Sequence, residues 1–178
     1  VGEMASAYTT FANGGIRCAP LFVTKIEDSH GNVIAKFQPL MTEVISEVSS
    51  YQMIDMLRAV IQGGTGSRLR YAYHLTADMG GKTGTTNNNA DGWFMGITPN
   101  LVSGCWVGGE DRDIHFDHTS MGQGATMALP VWAYYMQRVY ADKRLGYSQS
   151  TKFTMPAKFN PCQTADTINV NGIQEEYF

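Results

Sequence analysis

Six residues in the middle of this chain concentrate chemistry: Gly81-Lys82-Thr83-Gly84-Thr85-Thr86, followed by three asparagines and then Asp91-Gly92-Trp93-Phe94. On an extended backbone Lys82 offers a cation, Thr83 and Thr85 offer hydroxyls, and Gly84 leaves the main chain bare enough for another chain to come close. Such an edge suits an extended ligand that adds as an extra strand while its carboxylate meets the lysine and the hydroxyls. The backbone N–H of Thr85 can also point at a developing oxyanion. Gly-Lys-Thr imitates the end of a phosphate-binding loop. That loop needs glycine five positions before Gly81, where this chain has Thr76, and a helix after the threonine. Gly84 and the asparagines follow instead, so the phosphate reading fails.

A second cluster with chemical potential is Glu110, Asp111, Asp113, His115, Asp117 and His118. His115 and His118 can share one helix face, yet no metal motif matches, and the residues read as a solvated loop with no metal and no cofactor. Three cysteines, Cys18, Cys105 and Cys162, are too few and too scattered for a disulfide framework or a zinc site; Cys105 sits in an apolar run and reads as a small buried hydrophobe. A net charge of −3 without any basic run gives nucleic acid no footprint. Hydrophobic residues make up 43% of the 178 and charged ones 16%, a globular balance. The apolar runs are far shorter than the roughly 18 residues that a membrane span needs.

The elements that must hold the Lys82 segment follow from periodicity. Met4, Tyr8 and Phe11 recur at helical spacing over Gly2 to Ala12, and Asn13-Gly14-Gly15 stops that helix. Pro20 to Glu27 and Val33 to Phe37 flank a turn-rich loop and read as a hairpin. A helix from Ser46 or Ser49 to Gln62 carries the stripe Tyr51, Ile54, Leu57 and Ile61, widened by Met53 and Val60, with serine at its start and Glu47 at the positive end of its dipole. Gly63 to Gly66 ends it. The period then changes. Gly80–Thr86, Gly92–Thr98 and Leu101–Val107 read as three strands, with Pro99-Asn100 turning between the last two. Trp93-Phe94 and Trp106 fall on adjacent strands and read as core. After a glycine-rich turn, a last helix runs from about Pro130 to Lys143 with the stripe Trp132, Tyr135, Met136 and Val139. The order gives an α+β fold, an antiparallel sheet flanked by helices. Residues 1–146 form the domain, and 147–178 read as a polar C-terminal tail.

Lys-Thr-Gly is one of three short motifs of penicillin-binding proteins and β-lactamases. The run Lys82 to Asn88, with Asp91, Trp93-Phe94 and Gly96, resembles the transpeptidase domain of class A penicillin-binding proteins. So do Met4 to Tyr8 with Phe11 to Gly15, Met56-Leu57 to Val60 with Gly64-Thr65-Gly66, and Trp106-Val107-Gly108. The matches stand in the family's order and cover about Val1 to Tyr147.

The resemblance implies a penicillin-binding, β-lactamase-like transpeptidase fold. It implies a D,D-transpeptidase in which a serine attacks the D-Ala-D-Ala end of a peptidoglycan stem and passes the acyl group to a neighbouring amine. By this similarity Lys82 supplies positive charge and helps relay a proton. Thr83 and Thr85 bind the substrate or β-lactam carboxylate, the Thr85 amide forms half of the oxyanion hole, and Gly84 admits the ligand. The chain departs from the pattern in having no Ser-x-x-Lys, Ser-x-Asn or Tyr-x-Asn. With its start at Val1-Gly2-Glu3, this makes it read as the C-terminal portion of the domain. Its partners are then the N-terminal remainder with the serine, stem peptides and β-lactams; membrane contact comes only through an anchor outside these residues. The implied location is the outer face of the bacterial cytoplasmic membrane. A D,D-carboxypeptidase, a β-lactam-hydrolysing or β-lactam-sensing protein, and a non-catalytic cell-wall scaffold share the same resemblance.

Overall fold

The computed structural model describes residues 1–159. Helix α1 (Gly2–Ala12) leads into strand β1 (Ile16–Cys18), and a hairpin follows, β2 (Lys25–Glu27) and β3 (Val33–Lys36). Strand β4 (Met41–Glu43) precedes helix α2 (Glu47–Gln62) and a short turn of helix, α3 (Arg68–Tyr71). Strands β5 (Gly80–Thr85), β6 (Asp91–Thr98) and β7 (Leu101–Gly108) come next, then a single turn, α4 (Thr119–Gly122), and the long α5 (Gly124–Ala141).

The three main strands form an antiparallel sheet in the order β5-β6-β7, with Lys82 opposite Met95 and Thr85 opposite Gly92. β6 lies in the middle and is buried on both faces, as its alternate residues demonstrate. Phe94 is fully buried and meets Trp132 of α5 edge to face, with ring centres 5.0 Å apart. Ile97 points the other way, into a cluster with Tyr51, Ile54 and Leu57 of α2 and with Tyr8 and Phe11 of α1. The sheet is therefore sandwiched between α5 on one side and α1 with α2 on the other.

Helix α2 begins where its serines predict. Ser46 is the N-cap, its hydroxyl accepting the Ser49 N–H at 3.1 Å, and the whole stripe Tyr51, Ile54, Leu57, Ile61 is buried. The β2–β3 hairpin also forms, but it is shorter than the sequence suggests: Pro20 to Thr24 stay outside the strand, and Phe22 is 92% exposed. Strands β1 and β4 pair with each other, Arg17 opposite Thr42, a ladder of three residues each that the apolar pattern does not announce.

Four expectations are corrected. Helix α5 starts at Gly124, so Pro130 lies inside it rather than at its first turn. Its missing N–H forfeits one helical bond, which the burial of Ala128, Leu129, Trp132 and Met136 offsets. Tyr135 is 47% exposed, and Leu129 and Ala133 take its place in the core. Trp106 is 41% exposed and donates its indole N–H to Asp91 at 2.9 Å instead of filling the core; Cys105, too, is only half-buried.

The described part of the polar tail lies along the body. Gln149 Oε1 accepts the N–H groups of Thr76 and Ala77, and Phe153 is buried with its N–H donated to Asp78. Residues 160–178, with Cys162, lie outside the described residues.

Candidate active site

β5 is the outer strand of its sheet among the described residues. Thr86 donates its N–H to the Asp91 carbonyl across the β5–β6 connection. Backbone polar groups alternate in direction along a strand, so the N–H of Thr85 and the carbonyl of Thr83 face away from β6, toward the open edge. The ammonium of Lys82 curls to that same edge, its Nζ donating to the Thr83 carbonyl at 2.8 Å.

Side chains alternate as well. Thr83 and Thr85 share one face, and Lys82 with Gly84 the other. Each hydroxyl is held by a residue from elsewhere in the chain. Thr83 Oγ1 lies 2.8 Å from Thr65 Oγ1, in the glycine-rich turn after α2. Thr85 Oγ1 accepts the N–H of Gly124, the first residue of α5, at 3.0 Å, which leaves its own O–H free to donate. Only glycine permits that approach: a Cβ on Gly124 would sit 2.3 Å from the Gly84 carbonyl oxygen and 2.4 Å from that of Trp93. Gly84 is constrained too, since a Cβ there would lie 3.2 Å from Trp93 Cβ on the neighbouring strand. Packing within the sheet is thus one reason for the bare backbone at Gly84.

The connection after Thr86 is a tight turn over Asn87–Asn89, kinked at Asn88. Asn88 and Asn89 both adopt left-handed backbone, φ 59° and 56°, which asparagine tolerates better than most residues. Asp91 fixes the turn by accepting the Thr86 hydroxyl at 2.9 Å as well as the Trp106 indole. Thr86 therefore organises the turn and is not directed at the open edge.

Behind the strand, Asp78 is clamped by Arg58 of α2. Arg58 Nε reaches Asp78 Oδ1 at 2.9 Å and Nη2 reaches Oδ2 at 2.6 Å; both side chains are largely buried. Nη1 also reaches Asp55 at 2.8 Å and the Tyr51 hydroxyl at 3.0 Å, and the guanidinium packs between the rings of Tyr51 and Phe153. Burial alone would raise the Asp78 carboxyl. The hydrogen bonds from Arg58 and from the Phe153 N–H outweigh it and hold the group below the usual carboxylate range.

Glu110 to His118 are all exposed, and no group of three or more metal-ligating side chains converges among the described residues. His115 and His118 do not share a helix, because α4 begins only at Thr119. Sequence reasoning missed Thr65 and Gly124 as neighbours of the Lys82 strand. Gly64-Thr65-Gly66 stood out as a motif, but nothing in it says what Thr65 touches.

One cation, two held hydroxyls and an outward amide thus stand together at one strand edge, and comparison with known proteins gives the family. Residues 2–103, more than half of the chain, match the family described as penicillin binding protein transpeptidase domain. Penicillin-binding protein 1A of Aquifex aeolicus is 39% identical over 137 residues, covering 77% of this chain and 18% of that protein. The Neisseria lactamica protein of the same name is 39% identical over 145 residues, 76% of this chain and 17% of its own length. The crystal structure of penicillin-binding protein 1A from Haemophilus influenzae superposes with a TM-score of 0.69 at 27% identity, covering 79% of this chain and 26% of that one. The D,D-transpeptidase domain of a peptidoglycan glycosyltransferase from Eggerthella lenta shares the fold, with a TM-score of 0.55 at 24% identity over 76% of this chain and 32% of its own. The chain belongs to the penicillin-binding protein transpeptidase family, and its likeness to the 1A proteins agrees with the class A resemblance. It spans less than a fifth of the length of those two curated relatives.

Proposed function

We propose that this chain supplies the Lys-Thr-Gly strand of a peptidoglycan D,D-transpeptidase and works with N-terminal residues that carry the serine nucleophile. The observation that carries the reading is the open edge of β5. There the Lys82 ammonium, the Thr83 and Thr85 hydroxyls and the Thr85 N–H stand on six residues of one strand.

A stem peptide ending in D-Ala-D-Ala lies along that edge as an added strand, its terminal carboxylate received by the two hydroxyls beside the Lys82 charge. The serine oxygen attacks the carbonyl carbon between the two alanines. The carbonyl oxygen takes on negative charge, and the Thr85 N–H meets it as one oxyanion donor, a kind of contact whose loss costs about 10²–10³ in rate. The C–N bond breaks, the amine of the last D-alanine takes a proton and leaves, and an ester to serine remains. An amine from a second stem then displaces the serine and forms the cross-link. Lys82 supplies positive charge beside these steps and helps relay to the departing amine the proton that the serine gives up as it attacks. A β-lactam enters the same way, but its ring amine cannot depart, so the ester persists.

The sequence contains no Ser-x-x-Lys, and without a nucleophile the binding groups alone do not turn over. The chain by itself is therefore inactive. The reaction takes place on the outer face of the bacterial cytoplasmic membrane; no helix among the described residues is long and apolar enough to cross a membrane, so any anchor is supplied by other residues.

Fluorescent penicillin tests the reading on the full-length protein, wild type beside Lys82→Ala. Strong labelling of the wild type and sharply slower labelling of the variant is expected. Equal labelling of the two would remove Lys82 from the chemistry, and no labelling of either would sink the transpeptidase reading.

A further inference from the structure

The turn that closes α2 is built to hold a hydroxyl against β5. Gly66 donates its N–H to the Val60 carbonyl at 3.0 Å and Ser67 donates to Gly64 at 3.1 Å, which pins the backbone on both sides of Thr65. Leu69, fully buried, anchors the next turn of chain. Thr65 itself is exposed, and its Oγ1 stands 2.8 Å from Thr83 Oγ1. A hydroxyl pair in contact with water gains little stability by itself, because water offers both groups equal partners. Its significance lies in what it leaves over.

Each hydroxyl has one proton to donate. Whichever of the two donates to the other, one proton of the pair remains uncommitted, and one lone pair of its partner is occupied. On the same face, two residues along the strand, Thr85 has a lone pair occupied by the Gly124 N–H and its proton free. Neighbouring side chains on one strand face lie roughly 7 Å apart along the backbone. The three hydroxyls together therefore present two free O–H donors within reach of one small acceptor, beside the Lys82 ammonium at the Thr83 carbonyl. Two donors and a cation select an anion. A donated proton also strengthens when its own oxygen accepts from another group, so the Thr65–Thr83 pair is a stronger donor than either hydroxyl alone.

We infer that Thr65 is a third hydroxyl of the carboxylate-binding end of this site, and that it sets how strongly a ligand with a free carboxylate is preferred over its neutral counterpart. The inference rests on the reading of β5 as the substrate strand. Thr65 is a specificity-determining residue, acting on the carboxylate directly or through Thr83 according to which of the pair keeps the free proton.

The test uses the full-length protein and two probes that differ only in charge, benzylpenicillin and its methyl ester. Second-order acylation rates are measured for the wild type, Thr65→Val, Thr65→Ser and Lys82→Ala, with melting temperatures to establish that each variant is folded. A hydrogen bond to a charged group corresponds to roughly a 10- to 100-fold change. Thr65→Val is expected to slow acylation by the free acid by that factor, leave the ester rate unchanged and so erase the preference for the acid. Thr65→Ser is expected to restore most of it. Equal slowing of acid and ester would make Thr65 a structural prop of the turn, and unchanged rates with both probes would make the contact incidental; either result overturns the inference while Lys82→Ala still shows the strand at work. A wild type that neither probe acylates, or a Lys82→Ala variant as fast as the wild type, would bring down the reading of β5 and the inference with it.

Discussion

The Arg58–Asp78 clamp is the contact behind the site whose removal has the most calculable effect. Asp78→Ala leaves the Arg58 guanidinium, with 17% of its side chain exposed, without the carboxylate that receives two of its three donor nitrogens. Removing one partner of a buried pair costs about 3–5 kcal/mol, chiefly because a charge is left unpaired. Asp55 and the Tyr51 hydroxyl still receive Nη1, which places the expected loss at the low end, about 3 kcal/mol. For a domain of this size that is a fall in Tm of roughly 6–12 °C. Urea unfolding followed by tryptophan fluorescence measures it directly. Because the penalty is the orphaned charge rather than the lost attraction, the double variant Arg58→Met with Asp78→Leu should recover most of the loss. The acid limb gives a second reading. Asp78 is held below the ordinary carboxylate value, so its contribution is fully present above about pH 4 and disappears as pH falls through the lower folded value. Asp78→Asn should flatten that part of the stability curve. A loss below about 1 kcal/mol for Asp78→Ala, or a double variant as unstable as the single one, would refute the reasoning, since either means the guanidinium is adequately served without Asp78.

Gly124→Ala should be costly twice over: its Cβ would collide with the Gly84 and Trp93 carbonyl oxygens, at about 1–3 kcal/mol for the forced shift, and the displaced helix start would release Thr85. Melting and penicillin acylation of the full-length protein should therefore both decline; unchanged acylation would mean that Thr85 does not need its partner. Ser46→Ala should destabilise by about 1 kcal/mol through loss of the α2 cap, with no change in acylation rate, and a Ser46→Asp variant should melt with the wild type.

The central sheet and the two helices on its α2 side were legible because their patterns are long and unambiguous. β6 and β7 run eight residues each around Pro99-Asn100, and α2 carries sixteen residues with a serine cap and one clean stripe. The β1–β4 pair was not, because three-residue strands such as Ile16–Cys18 and Met41–Glu43 carry no period and meet only through tertiary packing. The start of α5 was misplaced for a related reason. Pro130 looks like a first-turn residue, whereas the real start at Gly124 is fixed by Thr85, 39 residues away. Trp106 read as core from its place on a strand and Tyr135 from its place in a helical stripe, yet both are partly exposed, a compromise amphipathic rings make easily. At the site, the strand and its motif were visible and its supports were not. Thr65 lies 18 residues from Thr83, and no spacing rule links a turn after a helix to a strand beyond it.

The contacts of the tail with the stretch before β5 carry a temporal consequence. Arg58 and Asp78 are 20 residues apart, and β5, β6 and β7 follow one another directly, so a chain emerging from its N-terminus can join these early. The Gln149 ties to Thr76 and Ala77 and the Phe153 tie to Asp78 span 72 to 75 residues. They close only after all of α5 has been made. The segment leading into Lys82 is thus fastened in two instalments, first by an ion pair from the preceding helix and last by a stretch of chain synthesised long after the strand itself.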